Sequence, residues 1–287
     1  MNTWVLINAV VIALSCSLAG AFLVLRHRAM LTDAISHAVL PGLVIAFLIS
    51  GSRNTAAMLI GAFAFGFICI FLVEFFRRYV RITDDASIGI TFTSLFAIGI
   101  ILVSRYTDRI DLDQECVLHG EITYSALKRM ALPGTNWHVP QTFVSGMAML
   151  FIVSLLIAIG YRGLKITSFN PDYATSIGVS VTLWHYISGG IASMVTIVSF
   201  EAVGAILVIA LMVIPAATAW LISKRLPAML LNTTILSVTG SVFGYWVAIW
   251  LNVSIAGSIA FLLGIQLMVV ILVKVVARRL PLQRATK

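Results

Sequence analysis

Apolar residues occur along this chain in nine long runs that are separated by short polar stretches. Most runs reach the length of about 20 residues that an α-helix needs to cross the hydrocarbon core of a membrane. They predict spans near residues 4–25, 34–50, 55–76, 87–103, 141–161, 177–198, 202–222, 228–250 and 255–276. The second and fourth runs are short, about 17 residues each, so one of them could be re-entrant. We therefore expect an all-α, polytopic membrane helical bundle of eight or nine spans.

The composition agrees with an integral membrane protein and not with a water-soluble globule. Of the 287 residues, 60% are hydrophobic and 10% are charged, and the mean hydropathy is +1.05. We expect a single transmembrane domain over residues 1–287. The three cysteines, Cys16, Cys69 and Cys116, share no CxxC spacing and predict neither a disulfide framework nor a thiolate metal site.

Basic residues are divided unevenly between the two sets of connections, and this bias predicts the topology. With the N-terminus outside, 14 of the 19 Lys and Arg residues fall on the inner side, where cytoplasmic loops carry such an excess. The inner set is Arg26, Arg28, Arg77, Arg78, Arg81, Arg162, Lys165, Lys224, Arg225, Lys274, Arg278, Arg279, Arg284 and Lys287. We expect a multi-pass membrane protein, surrounded by lipid, with a cytoplasmic C-terminus. Because this charge is spread over five connections, it does not indicate nucleic-acid binding.

One external connection, residues 104–140, is longer than a simple link requires. It contains several acidic residues, and its apolar positions recur at helix-like intervals. This pattern predicts short amphipathic helices that lie along the membrane interface. The length favours a docking platform for an external partner over a solvated connector.

The cytoplasmic connection 162–176 contains the signals of a short helix. Asn170 can cap it, Pro171 is its first residue, and Asp172 in the first turn is favoured by the helix dipole. Gly178 allows the helix to end and the chain to turn back. Such a helix suits a groove in a soluble partner, and an ordinary interhelical connector explains the residues equally well.

The most unusual polar residues of the spans lie at the start of the second one. Asp33 and His37 are four residues apart, so a helix places them on one face. Pro41 follows at the same interval and has no N–H, which frees the carbonyl of His37. A carboxylate, an imidazole and a free carbonyl together predict a cation-binding segment inside a membrane. The alternative is an interfacial Asp cap with a histidine that reaches the membrane surface.

Few other ionisable residues lie in the predicted spans. His185, in the sixth span, is either a ligand for a permeating ion or a neutral packing residue. Glu201 opens the seventh span at its outer boundary, where a carboxylate can attract cations. Glu74 ends the third span at the inner boundary, and we expect it only to reach the interface. Motifs of enzymes are missing from the sequence: it contains no GxxxxGK[ST], no HExxH and no GxSxG, so we expect no catalytic activity of its own.

Three motifs, in the same order and at the same spacing, resemble those of the membrane permeases of bacterial manganese, zinc and iron ABC transporters. They are Asp33–Gly42, Phe169–Ala174 with Gly178, and Val203–Leu211 with Pro215–Ala219. The segment Asp111–Gly120 is also similar to the outer loop of manganese and iron members. Asn170 stands where members of the family often have Asp, and either residue caps a helix.

The resemblance implies an importer of divalent metal ions with no permanently bound cofactor. The permease would act as a dimer, with an identical or a similar second subunit, and would join cytoplasmic ATPase subunits and an external metal-binding protein. Asp33 and His37 match the metal-contacting positions of the family. The helix Asn170–Gly178 would seat on the ATPase, and loop 104–140 would face the external protein. A carboxylate and an imidazole do not choose among Mn²⁺, Fe²⁺ and Zn²⁺.

Two other functions remain open at this stage. A proton-coupled secondary cation transporter would use Asp33, His37 and His185 as a proton relay, and an ABC permease for a metal chelate would need no direct ligand. The loop charges also place Asp33 near the cytoplasmic entry of its span. We expect Asp33 and His37 to face a central cavity, through a bend at Pro41 or through a turn at residues 26–32 that enters the bundle.

Overall fold

The structure is a computed structural model that describes residues 3–51, 55–106, 129–131 and 138–279. These ranges contain ten α-helices, a π-helical turn at Phe76–Val80 and one pair of short strands. The helices are α1 (Thr3–Leu25), α2 (Met30–Ser50), α3 (Thr55–Phe75), α4 (Asp84–Tyr106), α5 (Gln141–Phe169), α6 (Pro171–Ser176), α7 (Val181–Val203), α8 (Ala205–Ile222), α9 (Leu226–Leu251) and α10 (Ile255–Arg279). The strands are β1 (Arg129–Ala131) and β2 (His138–Pro140).

Nine helices of the described ranges are long and apolar enough to cross a membrane. The prediction of an all-α membrane bundle is therefore confirmed. The expectation that the second and fourth spans are short is wrong, because α2 has 21 residues and α4 has 23. Each of these helices begins with a turn that contains acidic residues, and a prediction from apolar runs leaves such a turn out of the span. Asp33 lies in the first turn of α2, and Asp84 and Asp85 lie in that of α4, where the helix dipole favours carboxylates.

Helix α1 lies at the centre of the bundle and contacts α5, α7, α8 and α9. Small side chains allow this close packing: a Cβ atom at Gly20 would lie 1.9 Å from the backbone oxygen of Met212 on α8. Helices α2, α3 and α4 form a second group that joins the rest chiefly through α7. Within this group Gly42 and Gly61 bring the backbones of α2 and α3 together, since a Cβ at Gly42 would lie 2.3 Å from the Gly61 oxygen.

Contacts at the two ends of α1 agree with the alternation of sides that the loop charges predict. At its N-terminal end, Trp4 packs edge-on against Phe143 of α5, with ring centroids 5.6 Å apart. At its C-terminal end, His27 packs against Trp220 of α8, and Arg26 binds Thr167 of α5. The connections that follow α1, α5 and α8, each of which carries basic residues, therefore meet at one end of the bundle, the basic end.

The two long connections differ in part from expectation. Residues 129–131 and 138–140 form an antiparallel pair, with Met130 opposite Val139, where we expected helices. The predicted amphipathic helices of loop 104–140 otherwise lie outside the described residues. In the segment 162–176, residues 162–169 continue α5, which has 29 residues. Arg162 and Lys165 are exposed on this extension. Charged side chains are costly inside a membrane, so we interpret residues 162–169 as the part of α5 that extends beyond it into water.

Candidate functional site

Asp33 and His37 lie one turn apart at the start of α2, as their spacing predicts. The carboxylate Oδ1 of Asp33 is 3.5 Å from Nε2 of His37. Their side chains are 39% and 26% exposed on the surface of the single chain. The pair thus presents one oxygen and one nitrogen ligand side by side, both of which divalent first-row metals accept. Among the described residues, no group of three or more His, Cys, Asp or Glu side chains converges, so this pair is a two-ligand arrangement.

Aromatic side chains of α4 hold the imidazole of His37. Its ring centroid is 5.0 Å from that of Phe92 and 5.2 Å from that of Phe96. These contacts restrict the ring to one side of α2 and keep it beside Asp33. The one-turn spacing places both side chains on one face of α2, and the expectation that they face a central cavity stays a prediction.

The turn before α2 sends part of its side chains into the bundle, whereas His27 and Met30 stay exposed. Arg26 and Arg28 are only 9% and 6% exposed, and Leu31 and Thr32 are buried. Helix α2 also runs without interruption through Pro41. The start of α2 is therefore set by the packing of the turn at residues 26–29.

Arg28 belongs to a buried charge cluster that sequence reasoning missed. Its guanidinium is 3.3 Å from Glu74 at the end of α3 and 3.4 Å from Asp84 at the start of α4. Arg77 pairs with both carboxylates. The expectation that the side chain of Glu74 only extends to the membrane interface is wrong, because Glu74 is 3% exposed and its carboxylate is paired with arginines. The spacing of Glu74 and Arg77, three residues apart on one helix, was the available signal.

Arg26 forms a second polar cluster with the ends of α5 and α7. Its Nη2 donates to Thr167 Oγ1 (2.8 Å) and its Nε to Ser168 Oγ (3.1 Å). Its Nη1 lies within 3.0 Å of the Trp184 carbonyl, His185 Nδ1 and Ser188 Oγ. Burial and the neighbouring charge of Arg28 lower the pKa of Arg26 to about 10, so its guanidinium stays charged at neutral pH.

His185 lies in this cluster and not beside Asp33 and His37. A guanidinium has only donors, so Nδ1 of His185 accepts from Arg26 and the ring proton belongs on Nε2. This geometry corresponds to the packing alternative for His185. Glu201 lies on the last turn of α7 and does not open the next span, because α7 continues to Val203 and Gly204 (φ 79°) makes the turn into α8. The side chain of Glu201 lies outside the described part of the structure.

The short helix α6 has the caps that its sequence predicts. The side chain of Asn170 accepts from the backbone N–H of Tyr173 at 3.0 Å, and Pro171 is the first residue. Asp172 lies in the first turn, and Gly178 has a φ of +80°, in the left-handed region that favours glycine. Ala174 is buried, whereas Phe169, Tyr173 and Ile177 are each about half exposed. Helix α6 and the residues beside it therefore carry exposed apolar side chains at the basic end of the bundle.

Nine candidate spans in the described residues define a multi-pass membrane protein, with a carboxylate–imidazole pair on α2 and a capped exposed helix between two spans. The chain belongs to the ABC 3 transport family, whose model matches residues 1–274. It is 42% identical to the manganese transport system membrane protein MntD of Bacillus subtilis, over 92% of this chain and 89% of that protein. It is 35% identical to the zinc transport system membrane protein TroD of Treponema pallidum, over 100% of this chain and 78% of that protein. Neither relative is named for iron.

A solved structure has the same architecture. The chain superposes on PsaBC from Streptococcus pneumoniae in complex with Fab with a TM-score of 0.75 and 29% sequence identity. The match covers 93% of this chain and 90% of that chain. The fold, the family and the type of protein expected from the sequence motifs are thereby confirmed.

Proposed function

We propose that this chain is the permease subunit of an ATP-driven importer that carries Mn²⁺ or Zn²⁺ across the bacterial inner membrane. The observation that carries this proposal is the Asp33–His37 pair, with 3.5 Å between ligand atoms, in a member of the ABC 3 transport family. Relatives named for manganese and zinc transport support the choice of metals. The metal is cargo, and ATP hydrolysis takes place on a partner chain.

A second permease subunit, identical or similar, would cover the face of α2 that holds Asp33 and His37. Both side chains are partly exposed on the single chain, and a facing subunit would enclose them in a central path. The two ligands of this chain are fewer than the four of a closed structural site, and release into the cytoplasm requires such limited affinity. Phe92 and Phe96 would keep the imidazole turned toward that path.

Helix α6 would be the contact for the cytoplasmic ATPase. Its residues Asn170, Pro171 and Asp172 form a capped first turn, and its exposed Tyr173 offers an aromatic anchor to a groove. Closure of two ATPase subunits would push on α6 and change the side to which Asp33 and His37 open. The external loop 104–140 would receive the metal from an external metal-binding protein.

Uptake of radiolabelled Mn²⁺ and Zn²⁺ by the reconstituted complex tests the proposal. Replacing Asp33 and His37 together with Ala should lower uptake by more than about tenfold. Even the loss of a residue that only orients a metal ligand typically lowers metal affinity or activity by about 10- to 100-fold. The matched control is Asp85→Ala, which removes an exposed carboxylate from the first turn of α4 and should leave uptake unchanged.

The same assay separates the two other candidate functions. A proton-coupled transporter would work without the ATPase and would stop when a protonophore dissipates the proton gradient. A chelate permease would retain its uptake in the double variant with unaltered affinity and rate. Either result would refute direct metal binding by Asp33 and His37 in an ATP-driven importer.

A further inference from the structure

The turn at residues 26–29 is held by two arginines that point to different parts of the bundle. Arg28 binds Glu74 and Asp84 and so joins the turn to α3 and α4, which pack against α2. Arg26 binds the end of α5 and the start of α7. The turn is therefore the junction between these two parts, and α2 begins directly after it.

The elements that Arg26 binds are the two supports of α6. We call the last turns of α5 (residues 160–169), α6 and the first turns of α7 (residues 181–188) the α6 bracket. The indole of Trp184 packs against the backbone of α5, since a Cβ at Gly163 would lie 2.0 Å from its ring. Gly160 is covered by the same ring at 2.8 Å. This close packing makes the α6 bracket a rigid unit, because glycine backbone and a large ring leave no space for sliding.

Arg26 is the polar connection between that unit and the turn. All three nitrogens of its guanidinium contact the α6 bracket, at distances between 2.8 and 3.1 Å. Two contacts are to α5, through Thr167 and Ser168, and three are to α7. A planar group held at so many points transmits a displacement better than a flexible point charge does.

We infer that Arg26 is a positioning residue that transmits movement of the α6 bracket to the start of α2, and through it to Asp33 and His37. Asp33 lies only seven residues after Arg26, and α2 begins at Met30. The inference rests on the proposed contact between α6 and the ATPase. Arg28 completes the connection by keeping α3 and α4 with the turn.

Two cysteine reporters follow the two ends of this connection in the complex with its ATPase. Thr175→Cys reports on α6 and Met30→Cys on the start of α2; both positions are exposed on the single chain, where Met30 is 61% exposed. The background is Cys116→Ser, and Cys16 and Cys69 are buried. Modification by a polar maleimide is timed with and without a non-hydrolysable ATP analogue. Uptake of Mn²⁺ per ATP hydrolysed is measured in the same preparations.

In the native chain, the ATP analogue should change the modification rate of both reporters. In Arg26→Gln, the Thr175→Cys reporter should still respond, the Met30→Cys reporter should not, and uptake per ATP should fall about tenfold. Arg26→Lys, which keeps the charge without the planar fork, should restore part of the response. Arg225→Gln, at an exposed position of the α8–α9 connection, is the matched control and should behave as the native chain.

If the Met30→Cys response and uptake per ATP are retained in Arg26→Gln, the inference is wrong while the role of α6 stands. If Thr175→Cys does not respond even in the native chain, the proposed ATPase contact fails and the inference fails with it. Should Arg26→Gln not assemble, Thr167→Val removes one acceptor of the guanidinium with little change of shape. A reduced Met30→Cys response in that variant supports the inference, and a native response overturns it.

Discussion

The guanidinium of Arg28 lies 3.3 Å from a carboxylate oxygen of Glu74, and the two side chains are only 7% and 4% exposed. Arg77 pairs with the other oxygen of Glu74, and Asp84 adds a second carboxylate to Arg28. This cluster joins the turn before α2, the end of α3 and the start of α4. A buried charge that loses its partner is strongly destabilising, so the cluster holds α2 in register with its neighbours.

We predict that Glu74→Gln destabilises the protein by about 1.5–3 kcal/mol, because Arg28 loses its buried partner and keeps only the partly exposed Asp84. The measurement is the thermal loss of monodisperse protein in detergent. The matched control is Asp85→Asn, which neutralises an exposed carboxylate nearby and should change stability little.

A double variant separates pairing from shape. Arg28→Met with Glu74→Leu removes both charges and should be more stable than Glu74→Gln alone, since no buried guanidinium is then left with only the partly exposed Asp84 as its partner. Equal stability of Glu74→Gln and Asp85→Asn would contradict the importance of the cluster.

Close backbone contacts give a second prediction. Gly20→Ala and Gly61→Ala should each lower stability by about 1–3 kcal/mol or more, because the added Cβ would lie 1.9 Å and 2.4 Å from backbone oxygens of neighbouring helices. Gly89→Ala on α4 is the control, because its Cβ would meet nothing within 4 Å. The same thermal assay in detergent applies, and a Gly20→Ala variant as stable as Gly89→Ala would refute the packing of α1 against α8.

The features that sequence predicted well depend on local properties. The spans follow from the length of apolar runs, and α6 follows from Asn170, Pro171 and Gly178, which act within a few residues of one another. The Asp33–His37 pair was also predictable, because a helix fixes the neighbours of each residue at i and i+4.

The features that sequence missed depend on distant partners. Glu74 is buried because Arg28, 46 residues earlier in the chain, meets it at the end of the bundle. The hydrogen bond of His185 likewise comes from Arg26, 159 residues away. The start of α2 and the end of α5 were predicted wrongly for another reason. Both helices continue beyond their apolar run into polar residues, and a prediction from apolar runs stops where the polar residues begin.

The cap of α6 gives a third prediction. Asn170→Ala removes the acceptor for the N–H of Tyr173 and should destabilise this helix by about 1 kcal/mol, whereas Asn170→Asp keeps it. We expect Asn170→Ala and Asp172→Arg to weaken co-purification of the ATPase, and Asn170→Asp to retain it. Undiminished binding and coupled ATP hydrolysis in Asp172→Arg would count against α6 as the contact.

His185 provides the last prediction, which distinguishes a packing histidine from a metal ligand. Its Nδ1 accepts from Arg26 at 3.0 Å, and the Oδ1 of an asparagine can occupy nearly the same position as Nδ1. We therefore expect His185→Asn to retain Mn²⁺ uptake and stability. His185→Leu should lower stability by about 1–3 kcal/mol, because it removes one acceptor from a buried guanidinium. The measurements are thermal stability in detergent and the concentration of Mn²⁺ that gives half-maximal uptake.

A metal ligand would show the opposite pattern. Both His185→Asn and His185→Leu would then raise the Mn²⁺ concentration required for uptake, since an amide oxygen is a poorer ligand than an imidazole for first-row metals. The Asp33→Ala and His37→Ala variants supply the reference for that behaviour. If His185→Asn resembles them in its dependence on Mn²⁺ while keeping native stability, His185 contacts the metal during transport and its bond to Arg26 is broken in that state.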